Sequence, residues 1–556
     1  MKILGFQSGH DVGYCILENG IPIIHEELER FIREKEPLGD GLKMASEILS
    51  DDDFNEIQHF CYGNPGGRRP SVCHDEESEN KMSEVLSNNG GKLYMIGHHQ
   101  SHAANAFFSS NFDEALIITL DGSGTEKSNW QDIHSEKSEC DSFSVASTFW
   151  EGKGTKIKPI KRTPTMELTI GGPWRRCTKG IFGLSAGHPH GLAAGTIMAM
   201  ASVGNSEKYW EDFYNCFKAY GGGGSSSWVK TISKYKEIAK ISEQESFDVA
   251  AGLQKATEVI GYETMKPIIE KYKPKNICMS GGVCLNSVMI GKMHDWFEGI
   301  NIYICPVPYD GGLAIGSAQY VWHQVLGNPR VKWEDNCTPY LGRTYEKDDV
   351  IHALEESENI KNRLKEKNVK LVCENVNDDK VIDLLINQNI ISVHGGGSES
   401  GRRALGNRSI LCDPRSPDMK AIINEKVKHR QWFRPFAPSI LRENVIEWFE
   451  HDIDSPYMTV VLKWKEEVKD KVPAVVHLDG TGRLQTVTKN DNEWYYKFIK
   501  KFGDKTGVPI LLNTSFNDRE PIVETPEHAI DCFLRTNIDY LYFREFGILV
   551  HKEKNK

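Results

Sequence analysis

Long apolar runs are missing from this 556-residue chain: nothing in it approaches the roughly 20 residues a helix needs to cross a bilayer. The opening MKILGFQSGHDVGYCILENG lacks the cationic, apolar and cleavage-site order of a signal peptide and reads as strand. No CxxC pair occurs among the thirteen cysteines. An odd, dispersed set in a long chain predicts reduced thiols and a cytosolic compartment. Basic residues fall short of acidic ones, 67 against 78 for a formal net charge of -11, which counts against sequence-independent polynucleotide binding. HExxH is absent, so a zinc protease is not expected. There is no convincing short tandem repeat, and GGGGSSS at 221–227 is the one low-complexity run, read as a surface loop. At this length two or three domains are expected.

Against that acidic background, residues 394–439 are dense in glycine and fixed cations: HGGGSESGRRALGNRSILCDPRSPDMKAIINEKVKHRQWFRPFAPS. Glycines let backbone N–H groups approach a ligand, and guanidinium forks grip phosphate or carboxylate oxygens in pairs. The stretch reads as a local anion trap built on Arg402, Arg403, Arg408, Arg415, Lys428, His429, Arg430 and Arg434.

The rest of the chain supplies loops at strand ends. KILGF, YCIL and IPII read as strands, with Glu18-Asn19-Gly20 as a hairpin turn. SGHDVG between the first two has the form of the first phosphate loop of actin-like and sugar-kinase-like ATPases, with Asp11 suited to a metal–phosphate complex and His10 to a base. EELERFIREKE (26–36) is a mixed-charge cluster. In GHHQSHAANAFF, His98 and His102 lie four apart and share one helix face, where they could hold one metal; His99 points elsewhere. The strand ALIITLDGSGTE follows, placing Asp121, Gly122 and Gly124 to face a nucleotide or acyl phosphate. FGLSAGHPHGLAAGTIMAMAS (182–202) turns helical, with His188 and His190 in its loop, and 247–260 has helical apolar spacing. KNICMSGGVCLNSVMIGKM reads as strand, turn and helix, its Gly281, Gly282 and Asn286 able to approach a base or ribose. NIYICPVP leads to Tyr309, Asp310, Gly311 and Gly312.

At about 327–345 the pattern lapses into polar, Pro- and Gly-containing sequence, the expected boundary between domains at 1–335 and 346–556. Beyond it a second βα alternation is expected: helix 346–356, strand KLVCENV, helix 377–387 and strand IISVHGG. VVHLDGTGRLQTV and GVPILLNTSFNDREPIVETPEHAI are read as strands ending in polar loops that carry His477, Asp479, Arg483, Asn513, Ser515 and Asn517.

Taken together, HDVGYCILENG, LERFIREK, HHQSHAANAFF, LDGSG, SGGVCLNS, YDGGLAIGSA, RALGNRSI, FRPFAPS, HLDGTGRLQT and LLNTSFN resemble the ATP-dependent O-carbamoyltransferases. That family acts on nodulation factors, cephalosporins, aminoglycosides and ansamycins. The resemblance runs in order over nearly the whole chain. It implies an α/β protein with an N-terminal actin-like, two-lobed carbamoyl-transfer domain and a C-terminal YrdC-like domain that makes carbamoyl-adenylate from carbamoyl phosphate and ATP. By the family pattern His98, His102 and Asp310 would bind a metal, commonly iron, alongside Mg²⁺ with the ATP. Developing charge at the adenylate would fall to Arg403, Arg408, Lys428, Arg434 and Arg483. Asn513 and Ser515 would orient the adenylate, with His477 and Asn517 in the same binding set. His10 would be the base for the acceptor hydroxyl.

Two departures bear on the acceptor. Ser400-Gly401-Arg402 stands where the family has Phe-Gly-Pro, and AGTIMAMAS replaces a Glu-x-Lys before Met-Gly-Leu-Ala. A natural-product or sugar hydroxyl is the expected acceptor, with a 5-hydroxymethyl-pyrimidine nucleotide as a second class. A homodimer is left open, and no membrane partner is expected. Two alternatives are a tRNA threonylcarbamoyl transferase, which the acidic charge disfavours, and a non-catalytic ATP-binding regulator, which predicts loss of cations or histidines that are present.

Overall fold

The computed structural model describes residues 1–63, 75–127, 142–184, 193–218, 226–333 and 338–555. His188, His190 and residues 221–225 lie outside them. The chain divides into two units, Met1–Thr338 and Pro339–Lys556.

The first unit contains one topology twice. Strands β1 (Lys2–Gln7), β2 (Gly13–Glu18), β3 (Ile21–Glu27), β4 (Ile57–Tyr62) and β5 (Lys92–Met95) form a sheet ordered β3-β2-β1-β4-β5. Its first three strands are an antiparallel meander, and β4 and β5 run parallel to β1. Strands β6 (Glu114–Lys127), β7 (Ser142–Lys153), β8 (Lys156–Pro164), β9 (Asn276–Ser280) and β10 (Asn301–Ile304) repeat the order as β8-β7-β6-β9-β10 with the same senses. This doubled arrangement is the actin-like fold. The turn between β2 and β3 has positive φ at both Asn19 and Gly20, which a two-residue hairpin requires. The middle strands are covered on both faces, so Leu116–Leu120 is an unbroken buried run.

Each half ends in a helix that packs on the other half. Helix α1 (His98–Phe108) lies against β6 and β9, helix α2 (Leu313–Tyr320) lies against β1 and β2, and the two helices pack on each other. Every residue of α1 is buried, histidines included. A polar helix sequestered in this way must satisfy its groups internally. Its C-terminal end is gripped by Arg330, which donates to the carbonyls of Phe107, Ser110 and Phe112 and lies 4.1 Å from the Phe107 ring centre.

The second unit is a mixed nine-stranded sheet. Its strands are β11 (Val369–Asn375), β12 (Ile391–His394), β13 (Arg408–Cys412), β14 (Ala437–Leu441), β15 (Val460–Lys463), β16 (Thr481–Val487), β17 (Ile510–Ser515), β18 (Tyr540–Phe543) and β19 (Ile548–Lys554). They are ordered β11-β19-β18-β12-β13-β17-β14-β16-β15. Helices Asp378–Ile386 and Glu493–Thr506 bury Val381, Ile382, Leu385, Phe498, Ile499 and Phe502 in its core. One expectation needs correcting. Val475 ends a short 3-10 helix and residues 476–480 form a turn, in which the Gly480 amide bonds the His477 carbonyl, so the strand begins only at Thr481. Among the described residues no helix is long and apolar enough to cross a membrane.

Candidate metal centre and anion cleft

Four side chains meet where the two halves of the first unit face each other. His98 and His102 project from the first turns of α1, Asp121 from a break in β6, and Asp310 from the turn before α2. The register of β6 shifts between Leu120 and Gly124, and such an irregularity re-aims a side chain out of the ladder. His98 Nε2 lies 2.7 Å from Asp121 Oδ2 and 3.7 Å from Asp310 Oδ1; His102 Nε2 lies 3.4 Å from each of the two. The four ligand atoms fall within 4.8 Å of one another. Nitrogen and oxygen ligands about 2.1 Å from one tetrahedral ion sit roughly 3.4 Å apart, so the set fits a divalent metal.

The hydrogen-bond chain behind the site agrees. Ser280 Oγ donates to the Pro308 carbonyl and so accepts from His102 Nδ1 at 3.0 Å. That aims His102 Nε2, buried and without a hydrogen bond of its own, into the cluster 3.4 Å from each carboxylate, the outer-sphere pattern of a ligating histidine. Gly124 makes the fit possible, because a Cβ there would stand 2.3 Å from the His98 ring. His99 faces Thr119 and the Val145 carbonyl instead, and burial together with His98 keeps it neutral.

The electrostatics call for a cation. Burial works against charge on His102, but Asp121 and Asp310 outweigh it and raise its pKa to about 9. Burial likewise opposes the Asp121 carboxylate, yet His102 and His98 hold it well below its usual range. His10 occupies the corresponding loop of the first half. Its Nδ1 is 3.0 Å from Asp11 Oδ2 and its Nε2 is 3.5 Å from Asp310 Oδ2. Its side chain is half exposed; the partial desolvation that opposes its charge is overridden by Asp310 and Asp11, which raise His10 to about 10. With those carboxylates unneutralised His10 is a cation rather than a base.

The expected nucleotide contacts of the first unit are redirected. Asp121 belongs to the carboxylate–imidazole cluster. A Cβ on Gly282 would stand 3.1 Å from Asp121 Oδ1, so the Ser280-Gly281-Gly282 turn abuts that cluster. Gly122 offers its carbonyl to Thr169. Asn286 caps the helix Ser287–Trp296 through the Met289 amide and exchanges amide hydrogen bonds with Gln254; it is structural.

In the second unit the cations sort into two kinds. Arg408 is fully buried and donates to the carbonyls of Gly395, Gly396, Asn407 and Glu524. It braces the glycine loop and does not face a ligand. Lys428 is buried, with its ammonium held by Ser515 O, Asn517 O and Asn517 Oδ1, so Ser515 and Asn517 position a lysine. Arg415 pairs with Asp413 and His429 with Asp518. The sequence reading missed Glu399, whose buried Oε1 accepts from the backbone amides of Leu405, Asn407 and Arg408 and folds the RALGNR loop around itself.

Arg403, Arg434 and Arg483 form the second kind. Burial lowers the Arg483 pKa, and Arg403 and Arg434 lower it further. Burial does the same to Arg434, and burial with Arg434 brings Arg430 down to about 9. Arg403, Arg434 and Arg483 are each half-buried, as residues lining a cleft would be, whereas Arg430 is bound by Asn424 Oδ1 and the Pro435 carbonyl. Beside them His477 is held neutral: burial, Arg483 and Lys420 bring it to about 4 against the pull of Asp479. Thr481 Oγ1 donates to Asp479 and so accepts from His477 Nδ1, leaving the buried His477 Nε2 as an acceptor without a partner. Asn513 donates to Ala404 O, Ser439 Oγ and Gln485 Oε1, and its buried Oδ1 is likewise unpartnered. Crowded cations with fixed neutral acceptors among them fit an anion that also carries donors.

A metal-ready carboxylate–imidazole cluster in an actin-like unit, joined in one chain to a guanidinium cleft, belongs to the class of group-transfer enzymes. Residues 83–319 match the family model for the carbamoyltransferase N-terminus and residues 382–550 that for the carbamoyltransferase C-terminus. The nodulation protein NolO of Bradyrhizobium diazoefficiens is 31% identical over 474 residues, covering 81% of this chain and 78% of that protein. Uncharacterized proteins of Synechocystis sp. and Methanocaldococcus jannaschii are 32% and 33% identical over 81% and 82% of this chain and 75% and 73% of their own lengths. The chain belongs to the carbamoyltransferase family.

Proposed function

We propose that the protein is an ATP-dependent O-carbamoyltransferase acting in the cytoplasm on a hydroxyl of a small molecule, either a natural-product or sugar hydroxyl or a 5-hydroxymethyl-pyrimidine nucleotide. In the YrdC-like unit water hydrolyses carbamoyl phosphate, its oxygen replacing the phosphate that leaves, to give carbamate. The carbamate oxygen then attacks the α-phosphate of Mg²⁺·ATP, forming carbamoyl-adenylate and releasing pyrophosphate. In the actin-like unit the acceptor hydroxyl displaces AMP from the carbamoyl carbon and loses its proton.

The observation that carries this reading is the guanidinium cleft. Arg483, whose proton affinity burial lowers and Arg403 and Arg434 lower further, suits a site where carbamate, triphosphate and departing pyrophosphate bring negative charge together. The unpartnered acceptors on His477 and Asn513 suit donors that phosphates lack: ribose hydroxyls, an adenine amino group or the carbamoyl NH₂. In the first unit, a divalent ion held by His98, His102, Asp121 and Asp310, Fe²⁺ by family pattern, would supply Lewis acidity at a carbonyl. Neutralising those carboxylates would also remove the attraction that keeps His10 protonated, returning it to the range of a general base.

The test needs no acceptor. Purified protein with ATP, Mg²⁺ and carbamoyl phosphate should release pyrophosphate only when all three are present. Absence of release, both alone and with a mixed pool of hydroxylated acceptors and nucleotides, would sink the proposal.

A further inference from the structure

Strand β3 contributes nothing to the four-residue cluster, yet two of its side chains hold the turn that carries one member. Side chains two apart on a strand point to the same face, and His25 and Glu27, both buried, point at residues 309–311. Tyr309 donates its hydroxyl to Glu27 Oε1 at 2.5 Å, and His25 Nε2 lies 3.0 Å from the Gly311 carbonyl. These contacts fall on the residues immediately before and after Asp310. The fit is close enough that a Cβ on Gly311 would stand 2.4 Å from Glu27 Oε1. Glu26, between them, faces the other way and accepts from Tyr14.

The turn is also held from the opposite side. The Pro308 carbonyl accepts from Ser280 Oγ and from the Gly281 amide, and Ser280 is the group that orients His102. Asp310 therefore sits on a span fixed to the second half at residue 308 and to the first half at residues 309 and 311. At the two residues flanking Asp310 the second attachment runs through two buried side chains. Their neighbours on β3 pair with β2 through backbone and would keep the strand in place without them.

We infer that His25 and Glu27 are positioning residues for Asp310, and that the Tyr309–Glu27 hydrogen bond sets how tightly the cluster holds a divalent ion. This rests on the metal-binding reading of the cluster. Hydrogen-bond partners behind a ligand typically change metal affinity 10–100-fold when removed. A carboxylate ligand on a turn free to relax meets the same cost, because the ion must then order it.

Co²⁺ is the probe, since its visible absorption reports ligand geometry as well as occupancy. Full-length wild type, Glu27→Ala, Tyr309→Phe, the double variant and Glu27→Gln would be titrated with Co²⁺, with His102→Ala as the reference lacking the site. Circular dichroism and a thermal melt on each would establish the folded state. Glu27→Ala and Tyr309→Phe should each weaken Co²⁺ binding about 10–100-fold. The double variant should lose no more than either, because both remove the same bond. Glu27→Gln, whose amide oxygen still accepts the phenol, should bind close to wild type. Wild-type affinity in both single variants, or losses that multiply in the double, would overturn the inference and leave the metal centre standing. Wild type binding no more Co²⁺ than His102→Ala would overturn both. Tyr309→Phe removes one oxygen only, so a folding failure of Glu27→Ala leaves the question decidable.

Discussion

Asp121 shows what a residue's place in three dimensions adds to its place in the chain. In the sequence it ends a strand beside two glycines, which reads as a phosphate loop; in the structure it bridges His98 and His102 at 2.7 and 3.4 Å. Spacing along one helix identified the histidines, but nothing in the linear pattern says which of several strand-end acids reaches them. Asp121→Asn should lower divalent-metal affinity on the order of a hundredfold or more, beyond the range of outer-sphere changes, as metal content after dialysis would show. His102 adds a pH dependence. Its pKa, raised to about 9 by Asp121 and Asp310, means that below pH 9 an incoming ion must displace a proton. Metal affinity should therefore rise with pH by about tenfold per unit on account of His102, with His10, raised to about 10, adding to the slope, and level off only above about pH 10. Calorimetry at pH 7.5 in two buffers of different ionisation enthalpy should show proton release, and its absence would remove His102 from the ligand set.

At the scale of elements, most strands were legible because buried apolar runs bounded by glycine turns leave little choice. The helix at 358–367 was not, since ENIKNRLKEK offers only Ile360 and Leu364 as apolar positions and just Ile360 is buried. Long-range side-chain braces were invisible for a different reason: an arginine looks the same whether it faces a phosphate or a carbonyl. Arg408 and Lys428 stood in the anion trap on sequence grounds, and the fold commits both to oxygen atoms of the protein. Arg330 lies in a stretch that reads as a polar boundary, yet it returns to close the end of α1. Replacing it by Met would leave the Phe107, Ser110 and Phe112 carbonyls without their donor. A loss of about 2–4 kcal/mol is expected, visible as a lower urea midpoint with an unchanged slope. An unchanged midpoint would mean that water or backbone rearrangement replaces the brace.

For the whole molecule, the doubling of the first unit explains why the four-residue cluster draws on distant parts of the sequence. His98 and Asp310 occupy equivalent places, each after the fifth strand of its half; Asp11 follows the first strand of the first half, and Asp121 lies at the break within the first strand of the second. No repeat is visible in the sequence because only the strand order survives, and strand order constrains apolar patterning far more loosely than it constrains space. The second unit shows no such doubling in its strand order, and its arginines all come from its own residues. Two sites of different chemistry on separately built units predict separable defects. His102→Ala should abolish carbamoyl transfer to an acceptor while carbamoyl-phosphate-dependent pyrophosphate release continues near the wild-type rate. Arg434→Ala should slow that release about 10²–10³-fold, the usual cost of removing one group that neutralises developing charge, while leaving Co²⁺ binding by the first unit intact. Measuring both quantities in both variants gives a two-by-two outcome. Loss of pyrophosphate release in His102→Ala would show that the cluster takes part in activation, and an active Arg434→Ala would take that arginine out of the anion cleft.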